Sequence, residues 1–324
     1  MKKILITGGC GFIGSHLTEY LLNKNYNVVV FDRYNSENSL GNLEQSKYKK
    51  DIEFILGDIR DYDSVNRSLK NIDVCFHLAA LIGIPYSYIS PLAYIKTNIE
   101  GTYNILEASR NNDLHKLILT STSEIYGTAQ YEPIDELHPQ SAQSPYASSK
   151  LAADSLAISY YKSFNLPLKI ARPFNVFGPR QSLRAVIPTI ISQVLKNKNE
   201  IKLGNLITKR DFTYVQDTCE AFYEIMKIKE NDGEVFNIGT NSHYSIEEIA
   251  IKIMSISNKK LNIKSESLRK RPDKSEVYNL ICNNSKLKNI SSWNNAVNFD
   301  EGLLRTINWF KKHIDQLDDL SFHV

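Results

Sequence analysis

The chain is poor in features that mark secretion, membrane insertion or nucleic-acid binding. Only four of its 324 residues are cysteine. Cys10, Cys75, Cys219 and Cys282 are far apart, form no C-x-x-C pair and have no histidine at metal-ligand spacing. A disulfide framework and a structural zinc site are therefore not expected; free thiols, no metal and a reducing, cytoplasmic setting are. No apolar run approaches the ~20 residues of a membrane span. The opening Met1-Lys2-Lys3-Ile4-Leu5-Ile6 imitates a signal peptide, but it breaks at once into Gly8-Gly9-Cys10-Gly11, so no leader is expected. Neither charge sign dominates: 39 basic residues against 36 acidic give a net charge of +3. The basic clusters Lys47–Lys50 and Arg269–Arg271 are short, and no dense basic run with interleaved aromatics appears, so nucleic acid is not an expected partner. No internal repeat is present.

What the chain does have is alternation. Short apolar runs at Lys3–Thr7, Asn27–Phe31, Ile52–Leu56, Val74–His77, Leu117–Thr120 and Leu168–Ala171 read as strands. Helical patterns near Phe12–Leu22, Tyr62–Leu69, Pro91–Arg110 and Pro145–Phe164 lie between them. Buried strands alternating with helices predict a doubly wound α/β fold with a parallel sheet covered on both faces. Ligands of such sheets bind at the carboxyl ends of the strands, where strand order reverses. Beyond Arg172 the alternation stops. Helical patterns near Ala185–Leu195, Asp217–Met226, Ile246–Ile256 and Glu301–His313 are separated by short strands and loops. Residues 1–172 are thus expected to form a nucleotide-binding domain to which a later strand returns. Residues 173–324 are expected to form mainly a smaller, discontinuous substrate lobe.

The first strand runs into Thr7-Gly8-Gly9-Cys10-Gly11-Phe12-Ile13-Gly14, which opens the first helix. Both G-x-G-x-x-G (Gly9, Gly11, Gly14) and G-x-x-G-x-x-G (Gly8, Gly11, Gly14) can be read there. Such a turn lets a pyrophosphate approach amides at a helix N-terminus. Asp32 follows Gly14 by 18 residues, about where an acid meets the adenosine ribose. It favours NAD over NADP; Arg33 pulls the other way, because it could neutralise a 2′-phosphate. Asp58, at the end of the third strand, is placed to accept from an adenine amino group or to cap the next helix.

Tyr146 and Lys150 are spaced i, i+4 on one helix face. An ammonium beside a phenol stabilises phenolate, which suits a base for alcohol oxidation. The spacing alone says little in a chain with 18 tyrosines. Its position just after Ser121-Thr122-Ser123-Glu124-Ile125-Tyr126-Gly127 says more.

These motifs form an ordered series: T-G-G-x-G-F-I-G-S-H, Asp58, His77-Leu78-Ala79-Ala80, Asn98, S-T-S-E-x-Y-G and Y-x-x-x-K. Arg172-Pro173-Phe174-Asn175-Val176-Phe177-Gly178-Pro179-Arg180 and Arg210-Asp211-Phe212-Thr213-Tyr214-Val215 continue it. The series resembles the NAD-dependent sugar-nucleotide epimerase/dehydratase family, the extended short-chain dehydrogenases, over essentially the whole chain. The resemblance implies a Rossmann fold and NAD contacts from Gly8, Gly11, Phe12, Ile13, Gly14, Asp32, Arg33, Asp58, Ile59, Leu78, Ala79, Ala80, Asn98, Tyr146 and Lys150. It implies that Thr122 and Tyr146 address the sugar C4 hydroxyl. Asn175, Arg210, Asn237 and Arg271 resemble the residues that hold the diphosphate and nucleoside. It also implies a homodimer, with helices Pro91–Arg110 and Pro145–Phe164 pairing across a two-fold axis.

Within that family Glu124 separates activities. Epimerases usually carry an apolar or small residue there, whereas dehydratases carry a carboxylate. Once C4 is a ketone, the C5 proton is α to a carbonyl and a Glu can remove it. Many dehydratases acting on deoxythymidine-diphosphate glucose place Asp just before this Glu, as the acid for the leaving hydroxyl. Ser123 stands here instead, as in GDP-mannose dehydratases and UDP-glucuronate decarboxylases, so Glu124 is left to serve both steps. The segments Ala79–Tyr88, Tyr126–Tyr131 and Ala142–Tyr146 resemble nucleotide-N-acetylglucosamine 4,6-dehydratases of legionaminic acid synthesis, in which the nucleotide is often GDP. Three alternatives stay open. A UDP-glucuronate decarboxylase must hold a carboxylate, and Leu81–Ser90 offers no Lys or Arg. A 4-epimerase leaves Glu124 without a task. An NAD-sensing regulator leaves Tyr146, Lys150 and Glu124 without one.

Overall fold

The computed structural model describes residues 2–37, 39–196 and 199–313. Strands β1 (Lys3–Thr7), β2 (Asn27–Asp32), β3 (Glu53–Leu56), β4 (Val74–His77), β5 (Lys116–Thr120) and β6 (Leu168–Pro173) fall where the apolar runs predict them. The short strands β7 (Asn175–Phe177), β8 (Glu200–Leu203), β9 (Lys209–Arg210) and β10 (Phe212–Tyr214) follow, and then β11 (Val235–Ile238). The central sheet has seven parallel strands in the order β11-β6-β5-β4-β1-β2-β3. Strand order reverses between β1 and β4, which opens a crevice at their carboxyl ends.

Side-chain alternation builds a core on each face. Ile4, Ile6, Val28, Val30 and Phe76 pack under α1 (Phe12–Asn23) on one side. Leu5, Val29, Phe31, Cys75, Leu117 and Leu119 pack on the other. There they meet α2 (Tyr62–Ser68) and residues of a longer helical stretch. That stretch departs from the continuous helix predicted over Pro91–Arg110. The short α3 (Ile84–Ile89) leads into α4 (Pro91–Tyr94), a π-helical segment spans Ile95–Glu100, and α5 (Gly101–Asn111) completes it. The wider turn carries Asn98 inward, where both polar atoms of its side chain are used, and such insertions tend to sit at functional sites.

Helix α6 (Pro145–Phe164) matches its prediction, and its ends show why. The Ser144 hydroxyl accepts from the Ala147 amide, Pro145 occupies the first turn, and Asn165 closes the helix in the left-handed region at φ 53°. This start puts Tyr146 in the first turn and Lys150 one turn later.

The remaining helices are α7 (Val186–Lys196), α8 (Val215–Lys227), α9 (Ile246–Ile256), α10 (Ser285–Ile290) and α11 (Phe299–Lys312). Small strand pairings tie this region together: β7 with β10, β8 with β13 (Asn262–Ser265), and β9 with both β12 (Tyr244–Ser245) and β14 (Asn279–Leu280). Among the described residues no helix is long and apolar enough to cross a membrane.

Candidate active site

The glycine turn is shaped by contact. Gly8 has φ +71°, and a Cβ there would stand 2.9 Å from the Ala79 backbone; a Cβ on Gly14 would collide with the Gly8 carbonyl. The turn therefore lies flat against the segment after β4, and α1 starts directly beside it. Gly11 is the N-cap of α1, with no side-chain hydrogen bond to the cap and no acid in the first turn that contains Phe12 and Ile13. Such an end suits a diphosphate. Next to it is a cavity of 390 Å³ lined by Cys10, Asp32, Arg33, Asn35, Ser36, Glu37, Ser39, Gly41 and Leu56. Asp32 is held at its rim by the amides of Cys10 (2.8 Å) and Arg33 (2.7 Å). The cavity size, the fixed carboxylate and the uncapped helix fit the adenosine and diphosphate of a dinucleotide.

Asp58 does not cap α2; Asp61 does, by accepting from the amides of Asp63 and Ser64. Asp58 instead accepts from Arg60, through its amide at 2.9 Å and its guanidinium at 2.9 and 2.6 Å. The Arg60 guanidinium holds the Asp58 carboxyl below its usual range. Ile59 is buried against Gly101.

The floor beyond β4 is tied by a chain that the sequence did not single out. The Thr102 hydroxyl donates to the Asn98 carbonyl at 2.7 Å, so it accepts from Nε2 of His77 at 3.2 Å. His77 Nδ1 then accepts from the Thr7 hydroxyl at 2.7 Å, and that oxygen accepts from the Ala79 amide at 3.2 Å. Burial, aided by the nearby Lys150 charge, pushes the His77 pKa down to about 3, which keeps the ring neutral. Leu78 is held by the Thr7 carbonyl. Ala80 continues that segment to Leu81, whose amide and carbonyl Asn98 brackets at 2.9 Å each. Asn98 also donates to the Ser149 hydroxyl at 2.9 Å. It thus supports the cofactor floor and joins it to α6. Histidine ending a strand and threonine 25 residues later carry no motif that would have revealed this chain.

Tyr146, Lys150, Thr122, Ser123 and Glu124 are all buried. Ser123 and Glu124 lie on a 3₁₀ turn after β5 (Ser123–Tyr126), begun by Thr122, whose hydroxyl accepts from the Glu124 amide at 3.3 Å. The Thr122 hydroxyl also bonds the Tyr146 phenol. Burial pushes that phenol well above its usual pKa, and the bond to Thr122 opposes the rise. Lys150 donates to the Thr120 carbonyl at 2.7 Å. Burial lowers its pKa to about 8, against the pull of Asp154 one turn on. The side chains at the two ends of this arrangement are thus a phenol and an ammonium held on one helix, facing a strand end that carries a hydroxyl and a carboxylate.

Glu124 meets side chains from beyond the central sheet's β6. Arg271 pairs with it through two nitrogens, at 3.1 and 3.4 Å. Burial alone would raise the Glu124 pKa, but the charges of Arg271 and Arg210 outweigh it, so the carboxyl titrates below its ordinary value. Arg210 is itself buried, 3.9 Å from Glu276. Two of the four predicted substrate residues therefore converge on the candidate base. Asn175 is partly exposed on β7. Asn237 is fully buried, accepting from the Tyr126 hydroxyl at 2.8 Å and donating to the Ile134 carbonyl at 3.3 Å. The structure sets it behind Tyr126 and not with Arg210. Tyr94 packs edge-on to Tyr146 at 6.2 Å, and burial raises its phenol's pKa.

The GDP-mannose 4,6 dehydratase family model matches residues 5–306. The chain belongs to that family. It is similar to human dTDP-D-glucose 4,6-dehydratase, with 33% identity over 96% of this chain and 91% of that one. Among solved structures it is similar to DesIV, a dTDP-glucose 4,6-dehydratase from Streptomyces venezuelae with NAD and TYD bound. The TM-score is 0.89, with 25% identity over 98% of this chain and 100% of that chain. It is also similar to a UDP-glucuronic acid 4-epimerase from Bacillus cereus in complex with UDP-glucuronic acid and NAD. There the TM-score is 0.87, with 33% identity over 96% of this chain and 99% of that chain. Membership of the family makes this chain an NAD-dependent enzyme of the sugar-nucleotide dehydratase type, on an extended short-chain dehydrogenase fold.

Proposed function

We propose that the protein converts a nucleoside-diphosphate N-acetylglucosamine, with GDP the favoured nucleotide, to its 4-keto-6-deoxy product, a step of the kind that legionaminic acid synthesis uses. The observation that carries the dehydratase reading over the epimerase one is Glu124. It is a buried carboxylate on the turn that also delivers Thr122 to Tyr146. Arg271 pairs with it, so burial by itself asks for no further task; what favours a catalytic one is its place two residues after Thr122, on the turn that faces Tyr146.

Tyr146 takes the proton from the C4 hydroxyl; burial alone disfavours its phenolate, so the Lys150 ammonium one turn on and the Thr122 hydroxyl have to offset that cost as the proton moves, and Thr122 holds the C4 hydroxyl in line. A bound NAD would supply the hydride acceptor that oxidation at C4 needs and the hydride donor that reduction at C6 needs. Glu124 removes the C5 proton, which the adjacent ketone has made acidic, and water departs from C6. Glu124 then gives that proton to the leaving hydroxyl, since Ser123 is a far weaker acid, and a proton from solvent is returned to C5 as the hydride arrives at C6. The net change is the loss of one water. Arg210 and Arg271 hold the diphosphate, for which planar guanidinium donors are suited. Asp32 accepts from the adenosine ribose and disfavours a 2′-phosphate.

A UDP-glucuronate decarboxylase is the second reading, because it shares the Ser123-Glu124 pair. Incubation with GDP- and UDP-linked N-acetylglucosamine, glucose, mannose and glucuronate, read by mass spectrometry, separates the two. A product lighter by one water from an N-acetylglucosamine donor is expected. Loss of carbon dioxide from UDP-glucuronate, with no dehydration of any sugar, would overturn it.

The protein is proposed to work as a homodimer. Leu92, Ile95 and Tyr103 are exposed on the helical stretch beside α6, and pairing of the two helices across a two-fold axis would cover them.

A further inference from the structure

Arg271 has two claims on it. Its guanidinium grips both oxygens of Glu124, at 3.1 and 3.4 Å, yet it is also one of the two arginines suited to a diphosphate. One fork cannot serve both partners at once.

A change of partner would have to be made by the side chain alone, because the segment that follows Arg271 is held. Residues 272–276, which follow it, are anchored at their far end. The Ser275 hydroxyl donates to the Gln143 carbonyl at 2.5 Å and pairs with the Tyr88 hydroxyl at 2.6 Å. The Gln143 amide donates to the Lys274 carbonyl at 3.1 Å. The groups facing Glu124 are Arg271 and Arg210 from beyond β6, Tyr146 from α6 and Thr122 from its own turn. Arg210 has a second acid in Glu276, at 3.9 Å, and Tyr88 faces Arg271. A diphosphate carries more charge than one carboxylate and offers more acceptor oxygens, so it competes well for a planar donor.

We infer that Arg271 is a positioning residue that masks Glu124 while the nucleotide site is empty and turns to the diphosphate when substrate binds, leaving the carboxylate free to accept the C5 proton. The base is thereby armed only by a ligand that carries the diphosphate. This inference rests on the reading of Glu124 as the C5 base. Its consequence is linked protonation. Glu124 titrates low in the free enzyme because Arg271 and Arg210 hold it charged. Withdrawing one cation and adding an anion nearby raises its pKa, so nucleotide binding draws in a proton.

The test is proton uptake on binding GDP or UDP to the NAD-loaded enzyme, between about pH 5 and 6. It is measured by calorimetry in buffers of different ionisation enthalpy, for the native enzyme and for Glu124→Gln. Subtracting the variant removes the ligand's own phosphate titration. The native enzyme should take up more protons than Glu124→Gln, and Arg271→Gln should lose most of that excess, because its Glu124 is no longer held low before binding. Equal uptake by native and Glu124→Gln, or an undiminished excess in Arg271→Gln, overturns the inference. The two readings fail separately. No excess uptake, with Glu124→Gln inactive, removes the mask and leaves the base. Native-rate product from Glu124→Gln removes the base.

Discussion

Replacing Lys150 with methionine should stabilise the cofactor-free protein while disabling it. Lys150 is buried on α6, and its ammonium donates to the Thr120 carbonyl at 2.7 Å. Burial lowers its pKa from 10.5 to about 8, with Asp154 opposing. At 1.36 kcal/mol per pH unit, holding this group charged in the folded state costs about 3 kcal/mol. Methionine fills similar space, removes that cost and forfeits the bond to Thr120, worth about 1 kcal/mol. The variant should therefore be about 2 kcal/mol more stable at pH 7. The sign follows from linkage. Below pH 8 the lysine is charged in both states and the cost is fully present. Between about 8 and 10.5 the unfolded chain holds a proton that the folded one does not, so native stability rises with pH and the advantage of the variant shrinks. Urea denaturation of both proteins, stripped of cofactor, at several values from pH 7 to 10 reads this directly, while turnover should fall by about 10²–10⁴. A variant less stable than native by 1 kcal/mol or more at pH 7, or a difference that does not change across that range, would refute the reasoning.

Other substitutions probe separate parts of the site. Tyr146→Phe should lower turnover by about 10²–10⁴ with dinucleotide affinity nearly unchanged in a binding titration, because the ring stays and only the proton acceptor goes. Asp32→Ala should narrow the preference for NAD over NADP, measured as the ratio of dissociation constants; if the native protein already binds both equally, Arg33 and not Asp32 sets the choice. Asn98→Ala removes the bracket on Leu81 and the tie to Ser149, so it should weaken dinucleotide binding and cost about 1–3 kcal/mol in urea denaturation. Paired charges at Ile95 and Tyr103 should halve the mass found by light scattering, provided the dimer uses that face.

Much of this was legible in the sequence for physical reasons that can be named. Parallel strands buried on both faces appear as apolar runs, so β1 to β6 were found to within two residues at either end. The start of α6 was found because Ser144 and Pro145 mark a helix start. The glycine turn was legible because Gly8 and Gly14 stand where a side chain would collide with the backbone, and Asp32 because it ends the second strand beside that turn. What failed depended on contacts between distant segments. The π turn at Ile95–Glu100 follows from the pull of Leu81 and Ser149 on Asn98, neither of which is near it in sequence. Asp58 lost its cap role to Asp61 because Arg60 claimed it. The setting of Asn237 against Tyr126 and the pairing of Arg271 with Glu124 both depend on contacts between segments more than a hundred residues apart. No periodicity encodes such contacts.

The central claim is that Glu124 removes the C5 proton, and it is tested by running the reaction in heavy water with the accepted sugar nucleotide. The native enzyme should give a 4-keto-6-deoxy product carrying deuterium at C5. Glu124→Gln, which keeps the shape and removes the base, should form none of that product and place no deuterium at C5. Deuterated 4-keto-6-deoxy product from Glu124→Gln at the native rate would contradict the account.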